Sequence, residues 1–250
     1  MNWFLIDIGN TNLSLGIVKK DRLKLEERFT PPVFFRRLPS LIKKYNPQSA
    51  FICSVVPVFS LKLRKILKRK GLKVLECGKE VNIPIKNLYK KPEEVGQDRL
   101  LTAFAANSLY KGVGCVIDLG TALTIDIISK RGEYLGGFIF PGIRLSLKNL
   151  LSECALLPKK LKLNFKRSFS YGQSTAECIS SGIVLGYSFL ISKFIEYLKK
   201  RRRADFKVVL TGGDAFLLRK IVEGVDYFEP KLLIKGLNIL RKKIEIESNI

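Results

Sequence analysis

The sequence predicts an α/β protein built from two related halves. Three observations carry this. Short apolar runs alternate with longer amphipathic stretches, the pattern of strands interleaved with helices. A signature of apolar-Asp-apolar-Gly-polar, followed by a second apolar run, occurs at Ile6-Asp7-Ile8-Gly9-Asn10 and again at Ile117-Asp118-Leu119-Gly120-Thr121, 111 residues further on. The 250-residue length, 46% hydrophobic, is enough for two units of about 120 residues, each with its own core. The halves are expected at 1–110 and 111–250, with the boundary near Lys111-Gly112-Val113-Gly114. No flexible linker separates them, so they are expected to pack around a cleft.

Residues 3–8 form an apolar run stopped by Gly9-Asn10, and 13–18 form a second: strand, tight turn, strand. Asp21-Arg22 turns the chain into a third strand at 23–29. Residues 34–44 have helical spacing, with Pro39 near the middle as an expected interruption. A buried strand at 51–56 ends at Pro57, a basic amphipathic helix follows at 59–70, and a strand at 72–75. Residues 84–92 read as a loop, and 98–110 as a helix with Leu101, Phe104, Ala105 and Ser108 on one face. The pattern then restarts. Strands are expected at 115–118, 123–128 and 134–140, and helices at 143–154 and 174–200. A strand at 207–210 runs into Thr211-Gly212-Gly213-Asp214, followed by a helix at 216–222, a short strand at 227–228 and a closing helix at 232–240.

Composition removes several chemistries. There are no histidines, so a Ser-His-Asp triad, a Cys-His dyad and His-ligated zinc are excluded. Any general base is a carboxylate, Lys, Tyr or Cys. The five cysteines form no C-x-x-C pair, and their odd number speaks against a disulfide framework. They read as buried thiols in a reducing compartment. Asp7 interrupts the apolar start, so no signal peptide is expected. The longest apolar stretch, 183–195, falls short of the ~20 residues of a membrane span and contains Gly186, Ser188, Ser192 and Lys193. Lys and Arg number 45 against 22 Asp and Glu, a net charge of +23. Nucleic acid, anionic lipid and anionic metabolites all suit such a charge, but the cations are spread along the chain. Their densest run, Lys199-Lys200-Arg201-Arg202-Arg203, is expected at a solvated helix C-terminus, where cations are favoured.

The glycine turns carry the candidate chemistry. In Asp7-Ile8-Gly9-Asn10-Thr11-Asn12 a buried strand delivers a carboxylate to a turn, where Gly9 lets backbone N–H groups approach an anion. Such a turn can hold phosphate oxygens while Asp7 faces a metal or its waters. A Gly-Asn pair is also an ordinary hairpin turn; the second copy at Asp118-Leu119-Gly120-Thr121 favours function. Thr211-Gly212-Gly213 offers N–H groups at a helix start, though its spacing matches neither Walker A nor the dinucleotide fingerprint. In Gly96-Gln97-Asp98-Arg99, Asp98 stands where acids commonly start helices, or acts as a general base beside a cation. Gly136-Gly137 and Pro141-Gly142 bracket a strand, as turn chemistry or as room for a ligand.

Together these pieces resemble type III pantothenate kinase, within the acetate and sugar kinase/heat-shock chaperone/actin superfamily. The matching segments are Asp7 to Asn12, Ser54-Val55-Val56-Pro57, Pro92-x-Glu94-Val95-Gly96-x-Asp98-Arg99 and Asp118-x-Gly120-Thr121-Ala122-x-Thr124-x-Asp126. Gly136-Gly137-x-Ile139-x-Pro141-Gly142, Ser174-Thr175-x-Glu177, Thr211-Gly212-Gly213 and Leu233-x-Lys235-Gly236-Leu237 complete the set, in family order over nearly the whole chain. The resemblance implies two duplicated actin-like, ribonuclease H-like halves around an ATP cleft. It implies ATP-dependent phosphorylation of pantothenate to 4′-phosphopantothenate, the first step toward coenzyme A, by a homodimer that also needs Mg2+. Asp98 would be the base, and Asp118 a ligand of a monovalent cation, K+ or NH4+. Asp7, Ile8, Gly9, Asn10, Thr11, Asn12, Leu13 and Ser14 would hold ATP with Thr121. Tyr89, Gly96, Gln97, Asp98 and Arg99 would bind pantothenate, joined by Thr175 across the dimer interface. Lys91 stands where the family commonly has Asn, and family histidine contacts have no counterpart here. The competing readings are a basic nucleic-acid-binding regulatory protein, which lacks any helix-turn-helix or zinc signature, and a sugar or carboxylate kinase of the same superfamily. No membrane partner is expected and nucleic acid is disfavoured.

Overall fold

A computed structural model of the chain describes residues 1–163, 171–202 and 205–247. In chain order its elements are β1 (Trp3–Ile8), β2 (Leu13–Lys19), β3 (Arg22–Phe29), α1 (Pro31–Tyr45), β4 (Ser49–Ser54), α2 (Pro57–Arg69), β5 (Lys73–Glu76) and α3 (Gln97–Leu109). The second series is β6 (Val113–Leu119), β7 (Ala122–Ile128), β8 (Tyr134–Pro141), α4 (Ile143–Glu153), α5 (Thr175–Arg202), β9 (Lys207–Thr211), α6 (Ala215–Leu218), β10 (Tyr227–Phe228) and α7 (Leu232–Glu247). They divide into two compact units. One comprises Met1–Leu109, Gly132–Tyr134 and the chain from Lys231; the other comprises Tyr110–Arg131 and Leu135–Pro230.

The first unit is a five-stranded sheet in the order β3-β2-β1-β4-β5, antiparallel from β3 to β1 and parallel from β1 to β5. β1 and β4 are near-continuous apolar runs because both their faces are covered. Phe4, Ile6, Ile8, Leu13 and Leu15 pack with Phe34, Leu38 and Leu41 of α1 and Leu63 and Leu67 of α2. Pro39 does not interrupt α1. Its ring lies on the exposed side, away from the Phe34-Leu38-Leu41 stripe, so packing of that stripe outweighs the lost backbone bond. Ser60 and Arg64 of α2 both bond the buried Glu76 of β5, at 2.7 and 3.0 Å.

The C-terminal α7 belongs to this first unit and runs to Glu247, beyond the 232–240 expected from sequence. Gly236 brings it against α3: a Cβ there would lie 3.0 Å from the Ala105 Cβ. Arg241 is fully buried, bonding Asp21 at 2.8 Å and Glu245, which also accepts the Trp3 indole N–H at 2.8 Å. A charged network therefore ties the two ends of the chain into one unit.

The second unit repeats the first sheet's topology, with the order β10-β9-β6-β7-β8 and β6 in the place of β1. Ile117, Leu119, Leu123, Ile125, Val208 and Leu210 form its core with Val184, Ile191 and Ile195 of α5. α5 is 28 residues long and apolar enough to cross a membrane by length and composition, whereas 183–195 alone is too short; its inner face is built into this core. The basic end of α5 is partly a brace. Arg202 donates to the carbonyls of Gly114 and Ile128 at 3.1 and 2.9 Å and stacks over Phe206. Arg203, the last residue of that basic run, lies outside the described residues. α6 is four residues, shorter than the 216–222 expected, so the glycine turn before it gains little from a helix dipole.

Candidate active site

In the first unit β1 and β2 pair as a hairpin with Asp7 opposite Ser14 and Ile8 opposite Leu13. The turn closes with the Gly9 N–H donating to the Asn12 carbonyl at 3.0 Å. Asn10 and Thr11 are exposed at its tip. Ile8 and Leu13 are fully buried in the core of the unit. On its other side Asp7 pairs in register with Cys53 of β4.

Cys53 lies within the electrostatic influence of both Asp7 and Asp98. Its thiol is pushed well above its ordinary range, first by a hydrogen bond with Cys77, then by burial, and further by the Asp7 and Asp98 carboxylates. Asp7 and Asp98, 91 positions apart in sequence, thus act on one buried group. Asp98 occupies the first turn of α3, where the Arg99 backbone N–H donates to its Oδ1 at 2.8 Å. Gly96 permits this: a Cβ there would collide with the Asp98 carboxylate. The Arg99 guanidinium lies over the Tyr134 ring, 5.8 Å from its centroid, and Tyr89 packs against the same ring at 6.5 Å. The loop holding Tyr89 is fixed in turn. Its N–H donates to Asn87, and the Leu88 N–H donates to the Tyr134 carbonyl. Tyr89 and Gly96 to Arg99 are therefore brought together, around a fully buried Tyr134 that sequence reasoning missed. Nothing in the local pattern separates Tyr134 from an ordinary strand residue.

The second unit reproduces the hairpin. Asp118 pairs with Thr124 on β7 and with Thr211 on β9, as Asp7 pairs with Ser14 and Cys53. The Gly120 N–H donates to the Ala122 carbonyl at 3.0 Å, leaving Thr121 exposed at the tip. Gly212 has φ +98°, and a Cβ there would strike Asp118 Oδ1 and the backbone of Leu119. Its glycine is required by this close approach. Gly142 packs as closely, its N–H donating to the Thr121 carbonyl at 2.9 Å.

Thr175 is exposed at the first residue of α5. The surrounding Ser-Thr-x-Glu motif has a local explanation. The Glu177 N–H donates to the Ser174 hydroxyl at 3.3 Å, as at a helix N-cap, and the Glu177 carboxylate accepts the Gln173 N–H at 3.0 Å.

Two sheets of one topology, each opening in an Asp-Gly hairpin, define an actin-like, duplicated α/β fold. The ROK hexokinase of Thermus thermophilus shares this fold with a TM-score of 0.51 at 13% identity, covering 99% of this chain and 100% of that one. A solved protein from Campylobacter jejuni, assigned to the Baf family of transcriptional activators, aligns with a TM-score of 0.60 at 25% identity, over 99% of this chain and 100% of that one. The type III pantothenate kinase family model matches residues 3–197. The type III pantothenate kinase of Persephonella marina is 37% identical over 244 residues, 93% of this chain and 95% of that protein. The chain belongs to the type III pantothenate kinase family.

Proposed function

We propose that this protein transfers the γ-phosphoryl group of ATP to the terminal hydroxyl of pantothenate, giving 4′-phosphopantothenate for coenzyme A synthesis. The observation that carries the reading is the Asp98 carboxylate held by the Arg99 N–H at the start of α3, beside the Arg99–Tyr134–Tyr89 cluster. Phosphoryl transfer asks a protein chiefly for positioning and charge neutralisation. The backbone of Asp7 to Ser14 cradles the phosphates, and Thr121 adds a hydroxyl to nucleotide binding. Gly96, Gln97, Arg99 and Tyr89 hold pantothenate, with Arg99 as the cation for its carboxylate. Asp98 accepts the hydroxyl proton late in the transfer, so its carboxylate needs correct aim more than a raised pKa. The Arg99 N–H on Oδ1 supplies that aim.

Among the described residues no group of three or more His, Cys, Asp or Glu side chains gathers as a metal cage. A single carboxylate at the hairpin, Asp7, fits Mg2+, which keeps waters and binds phosphate oxygens with one or two carboxylates. Asp118, among hydroxyl and carbonyl oxygens, fits K+ or NH4+. When bound, these ions supply neutralisation of the charge on the phosphates. The homodimer reading has support in α5. Gly182, Gly186, Phe189 and Tyr197 lie along its exposed side, and a Cβ on either glycine would meet nothing within 4 Å. Thr175 at the start of that helix is assigned to pantothenate of the partner subunit. The absence of disulfides among the five cysteines is in keeping with a cytoplasmic location. We keep 1–110 and 111–250 as the duplicated halves.

An Asp98→Asn variant tests the assignment of the base. Turnover is expected to fall by about 10²–10⁴-fold with KM for ATP little changed and the thermal unfolding midpoint retained. Turnover within threefold of wild type removes Asp98 as base.

A further inference from the structure

The duplication provides an internal control on the second hairpin. Asp7, Ser14 and Gly16 of the first unit correspond to Asp118, Thr124 and Asp126 of the second, because the pairs Asp7–Ser14 and Asp118–Thr124 hold the same register. The third positions differ sharply. Gly16 is a packing site: a Cβ there would lie 2.6 Å from the Ile234 side chain of α7. Asp126 is a fully buried carboxylate in the middle of a strand. Burying a carboxylate is costly unless it has a purpose served by its hydrogen bonds. The first hairpin shows that the topology does not require one.

What Asp126 does is visible locally. The Thr124 hydroxyl donates to Asp126 Oδ2 at 3.0 Å. Thr124 and Asp126 are two apart on β7, so both lie on the sheet face that carries Asp118, which pairs directly with Thr124. The three form a row from the half-buried Asp118 and Thr124 to the buried Asp126. Gly137 of β8 closes on the same place, since a Cβ there would strike the Ile125 carbonyl. A hydroxyl has one hydrogen and two lone pairs. Because that hydrogen is committed to Asp126, Thr124 has only lone pairs to offer elsewhere. Lone pairs beside the Asp118 carboxylate suit a cation and repel an anion.

We propose that Asp126 is a positioning residue for the monovalent-cation site: it fixes the Thr124 hydroxyl so that its lone pairs join the Asp118 carboxylate in holding K+. This rests on the reading of Asp118 as the cation ligand. Asp126 acts through Thr124 and touches neither substrate nor ion.

The test follows the unfolding midpoint of the full-length protein as KCl is titrated at constant ionic strength with choline chloride, beside the KCl needed for half-maximal turnover. Supporting groups around metal ligands typically alter affinity by about 10–100-fold. Thr124→Val and Asp126→Ala are therefore expected to raise the half-saturating K+ by about tenfold or more in both readouts. Thr124→Ser, which restores the hydroxyl, and Asp126→Asn, whose amide oxygen still accepts from Thr124, are expected to stay near wild type. Should Asp126→Ala not fold, Thr124→Val carries the same readout with the carboxylate intact. Lowered midpoints with unchanged half-saturating K+ in Thr124→Val would make the row purely structural and overturn the proposal. Asp118→Asn separates the two layers. If it keeps the K+ response, the reading of Asp118 fails and the proposal with it; if it alone loses the response, only the roles of Thr124 and Asp126 fail.

Discussion

Cys53 shows how much of this site is decided by single residues. It lies under Asp7 and within the influence of Asp98, with its thiol held protonated by Cys77, burial and both carboxylates. Cys115 is raised likewise, by burial and then by Asp126. Thiolate is the reactive form, so these two groups are inert in the folded protein. A thiol reagent at pH 8 is expected to modify the exposed Cys154 and Cys178 and to leave Cys53, Cys77 and Cys115 unmodified until the protein is denatured. Peptide mapping reads the result, and labelling of Cys53 in the native protein would contradict its burial between the strands. At this scale the turn residues were legible in the sequence, because Gly9, Gly96 and Gly212 each stand where a side chain would meet a neighbour or close off a turn. Tyr134 was not, because its role comes from the side chains of Tyr89 and Arg99, distant in sequence. Ser174-Thr175-x-Glu177 resembles a ligand motif and also has local hydrogen bonds at the start of α5.

Secondary-structure elements were legible where one periodicity governed them. The hairpins of β1–β2 and β6–β7 follow from short apolar runs divided by glycine turns. α1 outruns its expected break because Pro39 sits on the solvent side, and α6 ends after four residues, short of the 216–222 expected. α2 and the end of β5 are joined by charges that sequence spacing does not reveal. The Arg64 guanidinium bonds Glu80 and Glu76 and, with its hydrogen bond to Glu80 as the main cause, holds the Glu80 carboxyl down at about 2 against an ordinary 4.5. A carboxyl lowered in the folded state stabilises above its unfolded value, and that contribution is lost as pH falls from about 4.5 toward about 2. Glu80→Gln is therefore expected to lose less stability than wild type between pH 6 and pH 3, read as the shift in urea midpoint. Equal shifts would mean that the bridge is not formed in solution.

At the scale of the molecule the sequence already displays its duplication, since the 111-residue repeat of Asp-x-Gly falls on β1 and β6, the same position in two sheets of one topology. The return of α7 to the first unit was not legible: it depends on the close approach of Gly236 to Ala105 and on buried Arg241, both contacts across most of the chain. The net charge of +23 has no explanation in the fold. It does have a kinetic consequence, because a positive field speeds encounter with anionic ATP and is screened by salt. With K+ fixed and choline chloride raised from low to high ionic strength, kcat/KM for ATP is expected to fall by ~10-fold, with kcat nearly unchanged. A salt-independent kcat/KM would mean that the charge plays no part in capturing ATP. The central claim is the reaction itself. The most direct measurement is mass-spectrometric detection of product when the purified protein meets ATP, Mg2+ and K+ with pantothenate, or with a panel of sugars and carboxylates in its place. The account predicts ATP-dependent formation of 4′-phosphopantothenate and no phosphorylation of the other acceptors. Phosphorylation of a sugar or carboxylate instead, or no product beside salt-sensitive DNA binding, would contradict it.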